Sequence, residues 1–145
     1  MNLIFPEYPL RIEHREGKPH IWGLVRKKWL VLQKEEYVRQ LLICYLVEER
    51  GLSLGRMSVE KEIRYQGMKR RFDLVVYDQH GTPWMLCECK APGILINQGV
   101  LHQIARYNSI LQTPYLLVTN GEGLWIFGRN EEGTYILEES IPNSP

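Results

Sequence analysis

Two apolar runs joined by a four-residue turn dominate the middle of the chain and constrain what it can become. Arg71–Tyr77 and Trp84–Cys89 are rich in strand-forming residues, and Asp78-Gln79-His80-Gly81 between them is turn chemistry, so the segment predicts an antiparallel hairpin. If Tyr77 faces Pro83 or Trp84, the indices of paired residues sum to 160 or 161, and Asp73 falls opposite Cys87 or Glu88. Directly opposed side chains are roughly 5 Å apart at Cβ. Alternation puts Glu88 and Lys90 on one face of the strand and Met85, Cys87 and Cys89 on the other.

Two carboxylates held this close repel each other unless a cation lies between them, and hard oxygen donors suit Mg²⁺ or Mn²⁺. A cation at Asp73 and Glu88 could activate water for attack on a phosphodiester, with Lys90 offsetting negative charge in the transition state. An isolated D-x14-E-x-K spacing is common, and Asp73 could instead pair with Arg71 or Lys90 on an exposed sheet. The setting favours chemistry: Glu88 lies between two cysteines in an otherwise apolar run, where charges are rarely placed without a partner.

At 145 residues the chain is read as one domain, residues 1–145, with an extended or irregular arm over about residues 1–22, where Pro6, Pro9 and Pro19 occur. With 44% hydrophobic and 24% charged residues it has a globular composition, not a disordered one. Neither a membrane-length apolar stretch nor a secretory leader is evident, and Cys44, Cys87 and Cys89 read as reduced core residues, so a cytoplasmic location is expected. The four histidines show no metal-ligand spacing. Charge is uneven. Residues 1–71 carry 15 Lys and Arg against 9 Glu (+6), and residues 72–145 carry 3 against 8 acids (−5). The asymmetry permits a phosphate-binding face built from Arg26, Lys27 and Lys28 and from Lys69, Arg70 and Arg71.

Apolar periodicity over Lys34–Arg50 predicts a helix stopped by Gly51. At 100° per residue, Glu35 is placed at the edge of the apolar stripe, near Arg39, and Glu36 is directed away from it. A strand over Met57–Tyr65 precedes the hairpin, and a second helix runs from Asn97 or Gln98 to Leu111. Strands at 114–119, 123–127 and 134–137 close the chain. This order predicts an α/β fold, a central mixed sheet flanked by helices.

The hairpin residues FD…ECKAP, the helix EEYVRQ before them and QIARYN after them resemble the N-terminal nuclease domain of type I restriction enzyme R subunits, a branch of the PD-(D/E)xK superfamily. The likeness runs from Arg26 to the Thr119-Asn120-Gly121 turn, and it implies a restriction-endonuclease-like core. It also implies Mg²⁺ held by Asp73, Glu88 and the backbone of Cys89, with Lys90 supporting attack on DNA. The resemblance further suggests Gln103 and Tyr107 as a Q-x3-Y pair and a helix glutamate, Glu35 or Glu36. Phe72 stands where the superfamily often has proline. No G-x4-G-K-[ST] phosphate loop is found, so the chain alone would not drive translocation, and partner subunits of a restriction-modification system are implied.

The leading expectation is a Mg²⁺-dependent DNA endonuclease without a motor, for which a homodimer would be the simplest way to cut both strands. Two alternatives stay open: a non-catalytic nucleic-acid-binding or assembly module of the same fold, and a nuclease acting on RNA or branched DNA.

Overall fold

The computed structural model describes residues 3–145. Its centre is a six-stranded mixed sheet, flanked by two helices and a separate three-stranded sheet. The small sheet comes first in the chain, as β1 (Ile12–Arg15), β2 (Lys18–Gly23) and β3 (Lys28–Val31), paired antiparallel in that order. This corrects the expected extended or irregular arm over residues 12–22, whereas residues 3–11 carry no helix or strand. The prolines do not interrupt the ladder, because Pro19 lies at the start of β2 opposite His14, where a missing donor is tolerated.

Helix α1 (Lys34–Glu48) follows the predicted bounds closely. Gly51, at φ +69°, reverses the chain, and the Leu52 N–H donates to the Leu46 carbonyl at 3.0 Å, closing the last turn. Strands β4 (Met57–Tyr65) and β5 (Met68–Tyr77) form a hairpin whose two-residue turn is Gln66-Gly67, with φ of 49° and 78°. β6 (Pro83–Cys89) pairs antiparallel with β5 through the Asp78–Thr82 turn. In that turn the Asp78 carboxylate accepts from His80 N–H at 2.8 Å and Thr82 N–H at 3.0 Å.

The chain then crosses over through α2 (Gln98–Asn108), N-capped by Asn97, whose side chain accepts from Val100 N–H at 2.9 Å. The α-helix is shorter than predicted: Ser109–Leu111 tightens into a 3-10 turn. β7 (Tyr115–Thr119) pairs parallel to β6, and β8 (Leu124–Arg129) and β9 (Tyr135–Glu138) complete the sheet in the order β4-β5-β6-β7-β8-β9.

Each helix covers one face of the sheet. Val38, Leu41, Leu42 and Leu46 of α1 pack in a cluster with Leu74, Val76, Met85, Cys87, Cys89 and Leu117. Leu101 and Ala105 of α2 join Val75, Leu86, Leu116, Val118 and Phe127 on the opposite side. Burying side chains such as Leu74, Met85 and Leu116, each 0% exposed, contributes about 1.5–3 kcal/mol apiece. Both faces of β6 are thus dry except where Glu88 interrupts the apolar series. Among the described residues no helix is long and apolar enough to cross a membrane.

Candidate functional site

The hairpin register decides where the carboxylates meet. Leu74 pairs with Cys87, Val75 with Leu86 and Val76 with Met85, and a bulge shifts the register before Tyr77 pairs with Pro83. The sum of 161 set by the first three pairs carries Asp73 to the position opposite Glu88, one of the two registers expected. Backbone pairing has ended there, and the Asp73 side chain replaces it: its Oδ2 accepts from the Cys89 N–H at 2.7 Å. A residue's N–H and C=O point to the same neighbour in a ladder, so the Cys89 carbonyl lies on the Asp73 side of β6 as well. Lys90 extends the other edge, donating its N–H to the Thr119 carbonyl at 2.8 Å.

Both carboxylates are half-buried and so partly desolvated. Burial pushes Asp73 above its ordinary range, against the opposing pull of the Cys89 N–H, Arg39 and Lys90. Burial likewise raises Glu88, with Lys90 pulling it down and the Asp73 charge pushing it further up. Among the described residues Glu88 makes no ion pair within 4.0 Å, although Lys90 and Arg70 are close enough for their charges to be felt. The Asn108 side chain of α2 also lies toward Glu88, while its amide donates to the Ile104 carbonyl at 3.0 Å.

The helix glutamates depart from the phase expected of them. Glu36 is the buried one, 8% exposed, and Arg39 donates to it at 2.6 and 3.0 Å while Gln40 donates at 2.9 Å. The apolar face of α1 is wider than a stripe counted from the large hydrophobics alone, because Arg39 and Gln40 lie on it too and bring a carboxylate with them. Arg39 accordingly pairs with Glu36, not with Glu35. Glu35 is exposed at the rim, yet its carboxyl is raised, first by partial desolvation and then by the Asp73 charge, with Lys90 and Arg39 opposing. Glu35 therefore shares the electrostatic neighbourhood of Asp73 and Lys90, whereas the oxygens of Glu36 are engaged by Arg39 and Gln40.

The basic residues divide. Arg26 reaches Glu60 at 2.7 Å and Arg71 approaches the same carboxylate at 3.6 Å, with Arg39 at 3.7 Å from its other oxygen. Glu60, which nothing in the residue pattern singled out, is thus the anchor of three arginines beside Asp73. It lies across from Asp73 between the pairs Val59–Leu74 and Lys61–Phe72, and at φ +50° it is strained for a residue bearing a side chain. Lys27, Lys28 and Lys69 stay exposed at strand ends and turns. Gln103 and Tyr107 lie exposed on α2, one turn apart, and the Arg70 guanidinium lies 3.4 Å from the Tyr107 ring centroid. Neither Glu60 nor Asn108 could be recognised from sequence, since each is brought to the site by pairing or packing.

The donor set is compatible with a small hard cation. It offers two carboxylates and a strand carbonyl, all oxygen, and the free cysteines Cys87 and Cys89 have thiols pushed far up by burial, which makes them poor ligands. Among the described residues no group of three or more His, Cys, Asp or Glu side chains is arranged to hold a metal. Two carboxylates and one carbonyl would leave positions for solvent and substrate, as Mg²⁺ sites usually do.

No curated protein sequence matches the chain. The profile of the family described as Type I restriction enzyme R protein N terminus (HSDR_N) matches residues 34–142, from the start of α1 to just beyond β9. That span holds both helices, the whole six-stranded sheet, and Asp73, Glu88 and Lys90, and the chain belongs to the family of type I restriction enzyme R protein N-terminal domains.

Proposed function

We propose that the chain is a Mg²⁺- or Mn²⁺-dependent DNA endonuclease of restriction type, with Asp73 and Glu88 as carboxylate ligands. The observation that carries this reading is the opposition of two partly desolvated carboxylates across β5 and β6, both raised, with Glu88 lacking an ion pair among the described residues. Burial makes such an arrangement costly for the ionised pair. A divalent cation would offset that cost, and the Cys89 carbonyl stands on the side from which it could join the ligand set.

A cation bound there supplies Lewis-acid polarisation of the phosphodiester and a nucleophile at neutral pH. The rest of the chemistry belongs to the chain. The Cys89 N–H fixes the Asp73 carboxylate in one orientation, and Arg39 holds the same strand from α1. Lys90, two residues beyond Glu88 on the same strand face, donates to negative charge developing on the phosphate oxygens. Glu35, exposed at the rim with a raised carboxyl, is placed to orient water or accept its proton. Gln103 and Tyr107, exposed on α2, and the half-buried Arg70 of β5 against the Tyr107 ring form a flank that suits contact with the DNA backbone. Arg26, Lys27, Lys28, Lys69 and Arg71 would add sequence-independent phosphate contacts.

Membership in a restriction-subunit family supports DNA as the substrate and other restriction-modification subunits as partners. A homodimer would place two such sites on the two strands. The decisive experiment is cleavage of linear, supercoiled and single-stranded DNA and of RNA, with Mg²⁺, Mn²⁺ or chelator, by wild type and Asp73→Ala. Metal-dependent DNA cleavage that Asp73→Ala abolishes is the expected result. Equal cleavage by the two proteins would remove Asp73 from the reaction, and DNA binding without cleavage in any metal would favour the non-catalytic module.

A further inference from the structure

The three-stranded sheet precedes the family-matched region and reaches the site described above through Arg26, in the turn between β2 and β3, which pairs with Glu60. Its register places Trp22 opposite Trp29, and the Trp22 N–H donates to the Arg11 carbonyl at 2.9 Å, so Arg11 continues the same row. Alternation adds Arg15 and Lys18, which pair with each other, to that face. The two indoles meet edge to face at 5.3 Å between centroids, with the Arg11 guanidinium 5.0 and 5.2 Å from their rings and Arg15 at 4.6 Å from Trp29. Arg15 is satisfied by Glu13 at 3.2 Å. Arg11 is different: among the described residues it makes no ion pair and no side-chain hydrogen bond.

Arg11 and Trp22 also line the mouth of a cavity of about 570 Å³ between this sheet and α1, a volume typical of small-ligand sites. Its walls are mostly apolar, including Leu24, Ile43 and Val47, with Glu48 and Glu49 also lining it and Glu49 accepting from the Tyr8 hydroxyl at 3.4 Å. An apolar slot with one indole wall, carboxylate acceptors for exocyclic amines and an unpaired guanidinium at its rim matches a nucleobase carrying a phosphate. The surrounding charge favours a strand over a lone nucleotide: residues 11–31 hold six Lys and Arg against two Glu, a net of +4.

We propose that this cavity, with Trp22 and Arg11 at its mouth, holds an unpaired nucleotide of a DNA strand, the base in the slot and a phosphate on Arg11. The neighbouring Arg15 and Lys18, on the same face, then follow the strand's backbone. The proposal rests on the reading of DNA as substrate and adds a second contact remote in sequence from Asp73 and Glu88, a holding site for strand displaced or frayed near the cut.

The test is anisotropy of a labelled single-stranded oligonucleotide, together with indole quenching, on the full chain carrying Asp73→Ala so that nothing is cleaved. The same sequence as a duplex and a deoxynucleoside monophosphate serve as competitors. Single strand should bind with quenching, and Arg11→Ala and Trp22→Leu should each weaken it by about tenfold or more while duplex affinity stays within a few-fold. Unchanged single-strand affinity in Arg11→Ala, an exposed position whose loss leaves the fold intact, would overturn the site. Competition by the monophosphate as strong as that by the strand would overturn the assignment to a strand. Arg11-dependent strand binding by a wild type that cuts no DNA would uphold this site while removing the nuclease reading.

Discussion

Arg39 donates to the Asp73 carbonyl at 3.3 Å while its other nitrogens hold Glu36 at 2.6 and 3.0 Å. The helix beneath the sheet is thereby locked to the strand that carries the first carboxylate of the candidate site. Arg39 is only 8% exposed, and its guanidinium serves Glu36, Glu60 and Asp73 at once.

Breaking that lock should be costly for folding. Arg39→Met leaves Glu36 buried with only Gln40 to donate to it, and loss of one partner of a buried pair typically costs about 3–5 kcal/mol. Urea unfolding of the variant should show its midpoint displaced accordingly, with an unchanged slope. A loss below about 1 kcal/mol would mean that Glu36 is effectively solvated.

The two helix glutamates should separate stability from activity. Glu36→Gln is expected to lower the unfolding midpoint, because it removes the charge that Arg39 and Gln40 engage. Glu35→Gln should leave the midpoint nearly unchanged and reduce cleavage, since Glu35 is exposed but feels Asp73 and Lys90. The reverse pattern in thermal melts and cleavage rates would transfer the role to Glu36.

Protonation of the carboxylate pair makes a pH prediction. Asp73 and Glu88 are both raised by burial, so the folded state holds their protons more tightly than the unfolded chain does. Their stabilising contribution is full below about pH 4, the unfolded carboxylate range, and is lost as pH rises through the folded values. Without divalent cation, Asp73→Asn should melt progressively higher relative to wild type as pH is raised from about 4 to about 8, and added Mn²⁺ should narrow that gap. Melting curves for the two proteins that stay parallel across this window would show that the pair carries no desolvation cost.

Lys90 bears no lone pair when protonated and is not expected to be a ligand. Lys90→Ala should keep Mn²⁺ affinity near wild type in calorimetry while cleavage falls by about 10²–10³. Glu88→Ala should lose both. Cleavage by Lys90→Ala within a few-fold of wild type would leave the lysine without a catalytic role.

Neutralising Arg70 and Arg71 together should weaken duplex binding uniformly across sequences and lower the slope of log K against log salt by about 1–2. Arg71 already shares Glu60 with Arg26, and Arg70 lies over Tyr107, so Arg70 is expected to account for most of the change. An unaltered slope would place the DNA on another face.

The sequence by itself determined the elements and their order over most of the chain. α1, β4, the turn at Asp78–Gly81, β6 and the start of α2 lie within a residue or two of where periodicity and turn chemistry put them, since each is encoded by neighbours along the chain. Turn length narrowed the β5–β6 register to two, with Asp73 opposite Cys87 or Glu88, and the shift between Val76 and Tyr77 selected Glu88. Tertiary structure decided what packing and long-range pairing control. It buried Glu36 instead of Glu35 because Arg39 and Gln40 could satisfy it against the sheet. It gathered Arg26, Arg39 and Arg71 on Glu60 from three separate elements. It also folded residues 12–31, Pro19 among them, into a sheet, since that ladder is completed only when β2 finds both β1 and β3. Residues such as Glu60 and Asn108 carry no local signature, because their place beside the carboxylates follows from which strand and which helix lie alongside them.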